Sequence, residues 1–496
     1  MTIIGLDIGT TGIKAVAYDE NGLVLGSSTR PYSIFSPQEG WFELRVSDIK
    51  DAALSVLHDI VQENGIKSLD AVCATSFGES VVLLDHRAEP ICDALLYMDQ
   101  RGSSECDEFS NICDERLSFA ATGEIPHPML TMYKLKWLGR NGFLGSLKQI
   151  YFIADYVLHL LGGEHVTDRS LAARSGMFDI NDNEWWQPGI DYTGITAACF
   201  PSVVLSGSVT GYLSEVLASS LHLNGRTKLI IGGHDQSIAA LGAGALESGQ
   251  IMNGLGSVDN MTVIFDKEQK RGNFLESKFN VMPCALNHSF ATYLYNFSGG
   301  NLLRWFKNQL AKDLNDQHAY ALLDREAGSE PTGLLVMPHF TITGTPYLDR
   351  DSRGVISGLT FDTTRGDLYR AFLEGEALEM RQNIECIEKL GIPIQEIITV
   401  GGGTSSDIWM QIRADVFGKE ICVPSNREAG TRGGAILSLV SLGRFSSYQE
   451  AVKSMEDGKK IYSPNTSHVE VYNKKYEAYK ALYKESKKIV GRDQNI

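Results

Sequence analysis

A chain of 496 residues with 43% hydrophobic content can bury a large core but exceeds the size at which single cores stop growing, so two domains of roughly 250 residues are expected. A formal net charge of -16 disfavours nucleic acid and anionic membranes as partners, because nonspecific attraction to both runs through Lys and Arg. The eight cysteines (73, 92, 106, 113, 199, 284, 386, 422) form neither a CxxC pair nor a zinc spacing and read as reduced thiols of a cytoplasmic protein, and no apolar run nears the roughly 20 residues of a membrane span.

The N-terminus meets Asp7 within seven residues and has no basic start, so it reads as the fold itself rather than a signal peptide. Ile3 to Ile8 predicts a strand, Gly9-Thr10-Thr11-Gly12 a turn, Ile13 to Tyr18 a second strand, and Leu23 to Ser27 a third after Asn21-Gly22. A turn of two glycines and two threonines offers backbone N–H groups and hydroxyls with no large side chain, which suits a phosphate, and a plain polar hairpin fits it too. Asp7, just before it, is a candidate magnesium ligand, since hard cations take carboxylate oxygen.

Apolar spacing over residues 47 to 64 predicts an amphipathic helix, and strands follow at 69 to 75 and 80 to 85. The polar interruption Ser76-Phe77-Gly78-Glu79-Ser80 is a candidate substrate wall or an edge bulge. Asp99-Gln100-Arg101 either binds a hydroxylated ligand or pairs Asp99 with Arg101, and a largely helical region extends from there to about residue 165.

Near the midpoint, Leu229-Ile230-Ile231 reads as a buried strand, Gly232-Gly233-His234-Asp235-Gln236-Ser237 as a loosened turn, and 239 to 245 as a close-packed small-residue helix. An acid at a strand end is rigidly aimed. Asp235 is therefore a general-base candidate, with a helix N-cap as the alternative. Beyond it, Gln250 to Asn253, Gly254-Leu255-Gly256-Ser257 and 258 to 265 repeat the opening strand–turn–strand, which suggests a duplicated architecture with a ligand between the copies. Ser298-Gly299-Gly300 opens a helix that carries Arg304, where an anion or adenine could meet N-terminal amides. A long helix is expected over 367 to 390. Ile397 to Val400 ends in Gly401-Gly402-Gly403-Thr404-Ser405-Ser406, followed by a helix over 407 to 417. From about 467 the Lys, Glu and Tyr spacing predicts a solvated surface helix.

Together these residues resemble the FGGY family of carbohydrate kinases across nearly the whole chain. Leu6-Asp7-Ile8-Gly9-Thr10-Thr11 is similar to the family's first phosphate loop, Gly254-Leu255-Gly256-Ser257 to its second and Gly401 to Ser406 to its adenosine loop. Residues Met129 to Asn141 fit the N-terminal signature at every position, and Gly354 to Glu374 fit the C-terminal one except at Phe372. The resemblance implies an α/β, two-domain fold of the sugar kinase/actin/Hsp70 ATPase type (ribonuclease H-like) with the active site in the interdomain cleft. The halves are residues 1–246, with the sugar side, first phosphate loop and catalytic Asp, and 247–496, with the second phosphate loop, adenosine loop and C-terminal helix.

The activity implied is magnesium-dependent transfer of the ATP γ-phosphoryl group to a small sugar, with Asp235 as general base. By the same resemblance Asp7 helps place magnesium. Thr10, Thr11, Gly12 and Lys14 surround the phosphoryl group from one side and Gly256 and Ser257 from the other, while adenosine meets Gly300, Arg304, Gly402, Gly403 and Ser406. Gly78, Glu79, Asp99, Asp235 and Gln236 are the acceptor contacts, and His234 is expected to pack or hydrogen-bond locally. Glu79 falls where family members acting on glycerol carry a substrate glutamate, with Gly78 in place of their arginine, and the His and Met common in xylulose-specific members are absent. Tyr97 to Arg101 resembles the Trp-x-Asp-x-Arg of pentulose and gluconate kinases, which points to a ketopentose such as xylulose, with glycerol, gluconate or another polyol as the alternative. Partners implied are that acceptor, ATP and, as an option, a second copy of the chain. The same fold also serves actin- and Hsp70-like nucleotide switches and sugar-binding regulators; a carboxylate at 235 beside a polyol wall, with Asp7 and Thr10 intact, argues against both.

Overall fold

A computed structural model describes residues 1–266, 271–286, 289–315, 318–341, 343–456 and 458–493. Two mixed sheets organise it. The six-stranded sheet runs, in spatial order, Val209–Tyr212, Lys228–His234, Ala71–Ser76, Thr2–Gly9, Gly12–Asp19, Val24–Pro31. The seven-stranded sheet runs Met282–Pro283, Ser289–Asn296, Asp259–Asp266, Gln250–Leu255, Glu396–Val400, Ile421–Pro424, Lys459–Tyr462.

The two sheets share one plan. In the first, Thr2–Gly9 pairs antiparallel with Gly12–Asp19 and parallel with Ala71–Ser76, which in turn pairs parallel with Lys228–His234. In the second, Gln250–Leu255 pairs antiparallel with Asp259–Asp266 and parallel with Glu396–Val400, which pairs parallel with Ile421–Pro424. The expected repeat is thus present in the pairing. Parallel strands buried on both faces need apolar runs, which Ala71-Val72-Cys73-Ala74 and Leu229-Ile230-Ile231 supply.

Each plan ends in a helix, Asp235–Ala243 in the first copy and Ala429–Ser441 in the second. These two helices cross in backbone contact: a Cβ on Gly242 would lie 1.8 Å from Ala429 O, and one on Gly433 would lie 2.0 Å from Ile238 O. Ala429–Ser441 also lies on the first sheet, where a Cβ on Gly5 would come within 2.3 Å of Thr431 O. Small residues let two helices and a strand approach to this distance, and the C-terminal end of Asp235–Ala243 lies against the start of Ala429–Ser441.

The C-terminal helix, Thr466–Asp493, corrects the expectation of a solvated helix. Tyr472, Tyr476 and Tyr479 are fully buried along one side, and their hydroxyls donate to Glu374, Glu385 and Glu379 of the long helix Arg365–Lys389. Tyrosines spaced four and three apart share one helical face. At the centre of the second sheet, fully buried Arg413 pairs with Asp259 at 2.8 Å and Glu376 at 2.6 Å. All eight cysteines are free, and among the described residues no helix is long and apolar enough to cross a membrane.

Candidate active site

Asp235 is the first residue of its helix, while His234 holds the N-cap position with no side-chain cap. Asp235 is therefore one residue past the N-cap position. The turn is fixed from behind: the pairing with Ala71–Ser76 skips Gly232, whose Cβ would lie 2.5 Å from Ala74 O, and Gly233 has φ 136°. Buried Asp168 accepts from the Ser170 and Leu171 amides and from the Ser206 hydroxyl, while Ser170 Oγ takes the His234 N–H at 2.8 Å and Thr75 donates to Gly233 O at 2.7 Å. These bonds hold the strand end rigid, so the acid is aimed before any ligand arrives.

Burial pushes the Asp235 carboxyl up to about 7, helped by the charges of Asp7 and Glu79 and opposed by hydrogen bonds from Gln236. Burial likewise raises Asp7 to about 6, with Glu428 adding to it and Lys14 opposing. Two carboxylates that resist ionising beside each other are ready to receive positive charge. Among the described residues no cluster of three or more His, Cys, Asp or Glu side chains is placed to hold a metal. A donor set of one or two carboxylates fits magnesium, which completes its shell with water and phosphate oxygen.

The first hairpin turns at Thr10 and Thr11, with Gly9 opposite Gly12, and Thr11 O accepts the Tyr32 amide at 3.1 Å. Lys14 Nζ is 2.5 Å from Glu428, and a Cβ on Gly430 would lie 2.4 Å from Asp7 Oδ2. The start of Ala429–Ser441 thus sits over the Asp7 carboxylate. A helix N-terminus at that place favours negative charge there.

In the second copy, Gly300 N–H donates to Gly256 O and Asn301 N–H to Ser257 O, each at 2.9 Å. This seats the start of helix Gly299–Leu310 on the second hairpin. The triple glycine packs on the same hairpin, since a Cβ on Gly403 would lie 2.5 Å from Leu255 Cγ and one on Gly401 2.8 Å from Leu255 O, whereas Gly402 has nothing within 4 Å. Ser406 caps helix Asp407–Phe417 by accepting from Trp409 N, and Arg304 is exposed on its helix. Arg427 donates to Ser405 at 2.8 Å, so the segment that reaches Asp7 also touches the glycine turn.

On the remaining side, Glu79 takes the left-handed conformation at φ 62° and is buried. Arg174 reaches it and also Glu124, at 2.6 Å. Burial raises the Tyr97 hydroxyl above its ordinary value, and the charges of Glu79 and Asp235 add to it. Asp99 is held by the Phe42 amide at 2.7 Å and by Arg101 through Nε at 2.9 Å and Nη2 at 2.6 Å, and Arg101 continues to Glu43. His234 is buried, with Nδ1 3.1 Å from the Tyr293 hydroxyl and Nε2 3.6 Å from Asp235 Oδ1.

Sequence reasoning missed Glu428, Gly430, Arg174, Glu124 and Tyr293, all of which border the site. The signal for the first two was a glycine pair, Gly433-Gly434, in a helix that follows a short apolar strand, as in the Asp235 segment. No local pattern marks the other three.

Residues 2–242 match the model of the FGGY family of carbohydrate kinases, N-terminal domain, and residues 282–442 match that of the C-terminal domain. The chain belongs to the FGGY family of carbohydrate kinases. It is accordingly a phosphotransferase with an alcohol group as acceptor. This kinase is 26% identical over 490 residues to the xylulose kinase of Bacillus subtilis (strain 168), covering 98% of this chain and 97% of that one. It is also 26% identical over 476 residues to the gluconokinase of the same organism, with 91% and 90% coverage. Its fold matches the crystal structure of xylulose kinase from Rhodospirillum rubrum with a TM-score of 0.90 and 26% identity, over 99% of this chain and 100% of that one. The kinase therefore has the two-domain sugar kinase fold.

Proposed function

We propose that this kinase transfers the γ-phosphoryl group of ATP to a hydroxyl of a ketopentose of the xylulose type, with Asp235 as general base. The observation that carries the reading is the position of Asp235: a carboxylate at a rigid strand end, near the charges of Asp7 and Glu79, with its proton affinity raised to about 7. A base with that affinity can take a proton near neutral pH and give it up again. The attacking hydroxyl loses its proton to Asp235 as its oxygen bonds to the γ-phosphorus, the bond from that phosphorus to the β–γ bridging oxygen breaks, and ADP leaves. Asp235 then returns the proton to solvent.

Little covalent chemistry is asked of the protein, so positioning and charge dominate. Thr10, Thr11, Gly12 and Lys14 hold the phosphates on one side and Gly256 and Ser257 on the other. The open main chain at Gly402, with Gly403, Gly300, Arg304 and Ser406, receives adenosine. Asp7 would hold a magnesium ion, which when bound neutralises charge on the phosphate oxygens. Glu79 and Gln236 accept or donate to acceptor hydroxyls, and Asp99 supports the wall through Arg101. Two halves closing over the reactants exclude water and limit ATP hydrolysis. The relatives named xylulose kinase support the ketopentose among acceptors. The division at 246/247 belongs to the same proposal, as does a cytoplasmic setting. The test is ADP release with Mg-ATP across ketopentoses, glycerol, other polyols and aldonates, with Asp235→Asn alongside. Turnover with a ketopentose that the variant loses is expected; ATP hydrolysis independent of acceptor and variant would overturn the reading.

A further inference from the structure

Arg174 follows the short helix Arg169–Ala173 and enters the room left by Gly78: a Cβ at 78 would lie 2.7 Å from Arg174 Cγ and 3.0 Å from His234 Cδ2. Any side chain at 78 would displace it. The arginine is 5% exposed, and each edge of its guanidinium is taken. Nε donates to Glu79 Oε1, Nη1 donates to Glu124 Oε1 at 2.6 Å, and the thioethers of Met282 and Met129 cover Nη1 and Nη2 at 3.7 and 3.9 Å. Glu124 is held in turn by Asn280 at 3.4 Å.

We propose that this closed guanidinium makes the acceptor wall take neutral polyhydroxylated molecules and reject aldonates of the same length, an inference that rests on the acceptor reading above and narrows it. A carboxylate in place of a terminal hydroxymethyl is best held by the fork of N–H donors that arginine presents. Here the fork is spent on the protein's own acids. An aldonate would then meet Glu79 and Asp235 with its charge unpaired, whereas hydroxyls can donate to both. Lys134 does not fill the gap, being 3% exposed and donating to Met129 O at 2.8 Å.

The test compares matched pairs that differ only at one terminus, xylitol with xylonate and ribitol with ribonate, by isothermal titration of the full chain with and without a non-hydrolysable ATP analogue. The neutral member of each pair is expected to bind at least tenfold tighter, and equal or tighter binding of the aldonate overturns the inference. Glu124→Ala, which frees Nη1, is expected to tighten aldonate binding at least tenfold, and Arg174→Met added to it should abolish the gain; no gain in a folded Glu124→Ala chain also overturns it. If that variant does not fold, the matched pairs on the native chain decide alone. Absence of turnover with every acceptor, alongside preferred binding of the neutral member, would sink the kinase reading for these sugars and leave the wall assignment standing.

Discussion

Gly430 stands over Asp7 with no room for a side chain, a Cβ there falling 2.4 Å from the Asp7 Oδ2 atom. Gly430→Ala must therefore move the start of Ala429–Ser441 or the Asp7 carboxylate. A displacement of about 1 Å at reacting groups costs on the order of 100-fold in rate. A fall of kcat of that order, with circular dichroism unchanged, is expected; a variant with native kcat would show that Asp7 is not used in its present position.

The acid limb of kcat/KM follows from Asp235. Its base form exists above about 7, so activity falls as pH drops through that value. Stability moves the other way. The folded chain holds this proton up to about 7 and the unfolded chain only to the ordinary 3.8, so ionisation of Asp235 costs the fold more and more as pH rises across that window. Asp235→Asn is thus expected to abolish turnover and to melt higher than the native chain at pH 8, with the gap narrowing toward pH 5. Melting curves at both pH values check it.

Tyr479 is fully buried and donates to Glu379, itself 1% exposed. Tyr479→Phe leaves a buried carboxylate short of a donor, at a cost of about 1–3 kcal/mol. A lower melting temperature with kcat and KM preserved is the expected result, since the contact lies on the C-terminal helix and not at the site.

Arg413 offers a harsher case. Arg413→Met leaves Asp259 and Glu376 buried with no cation between them, which costs about 3–5 kcal/mol. Because Asp259 starts the strand after the Gly256-Ser257 turn, KM for ATP is expected to rise as well. A stable variant with unchanged KM would count against both statements.

Much of this could be read in advance, and the reason is local. The two hairpins announce themselves through alternating apolar residues around glycine turns, and the triple glycine before Asp407–Phe417 is a strand–turn–helix in any context. What could not be read is contact at long range. Arg174 fills the space beside Gly78 from another element, and Ala429–Ser441 reaches back to Gly5 and Cys73 across most of the chain. The C-terminal tyrosines show their spacing, but the Lys and Glu around them mask the buried face. Asp99 presented two readings, and its pairing with Arg101 is the one visible in the contacts.

The crossing of Gly242 and Gly433 sets where this chain can be divided. A piece ending at residue 246 would lack the helix that covers Gly5 and Cys73, and the other piece would carry that helix with its glycine face bare. The two pieces are expected to behave as a complementing pair that gains structure on mixing, because each holds a wall of the other's interior.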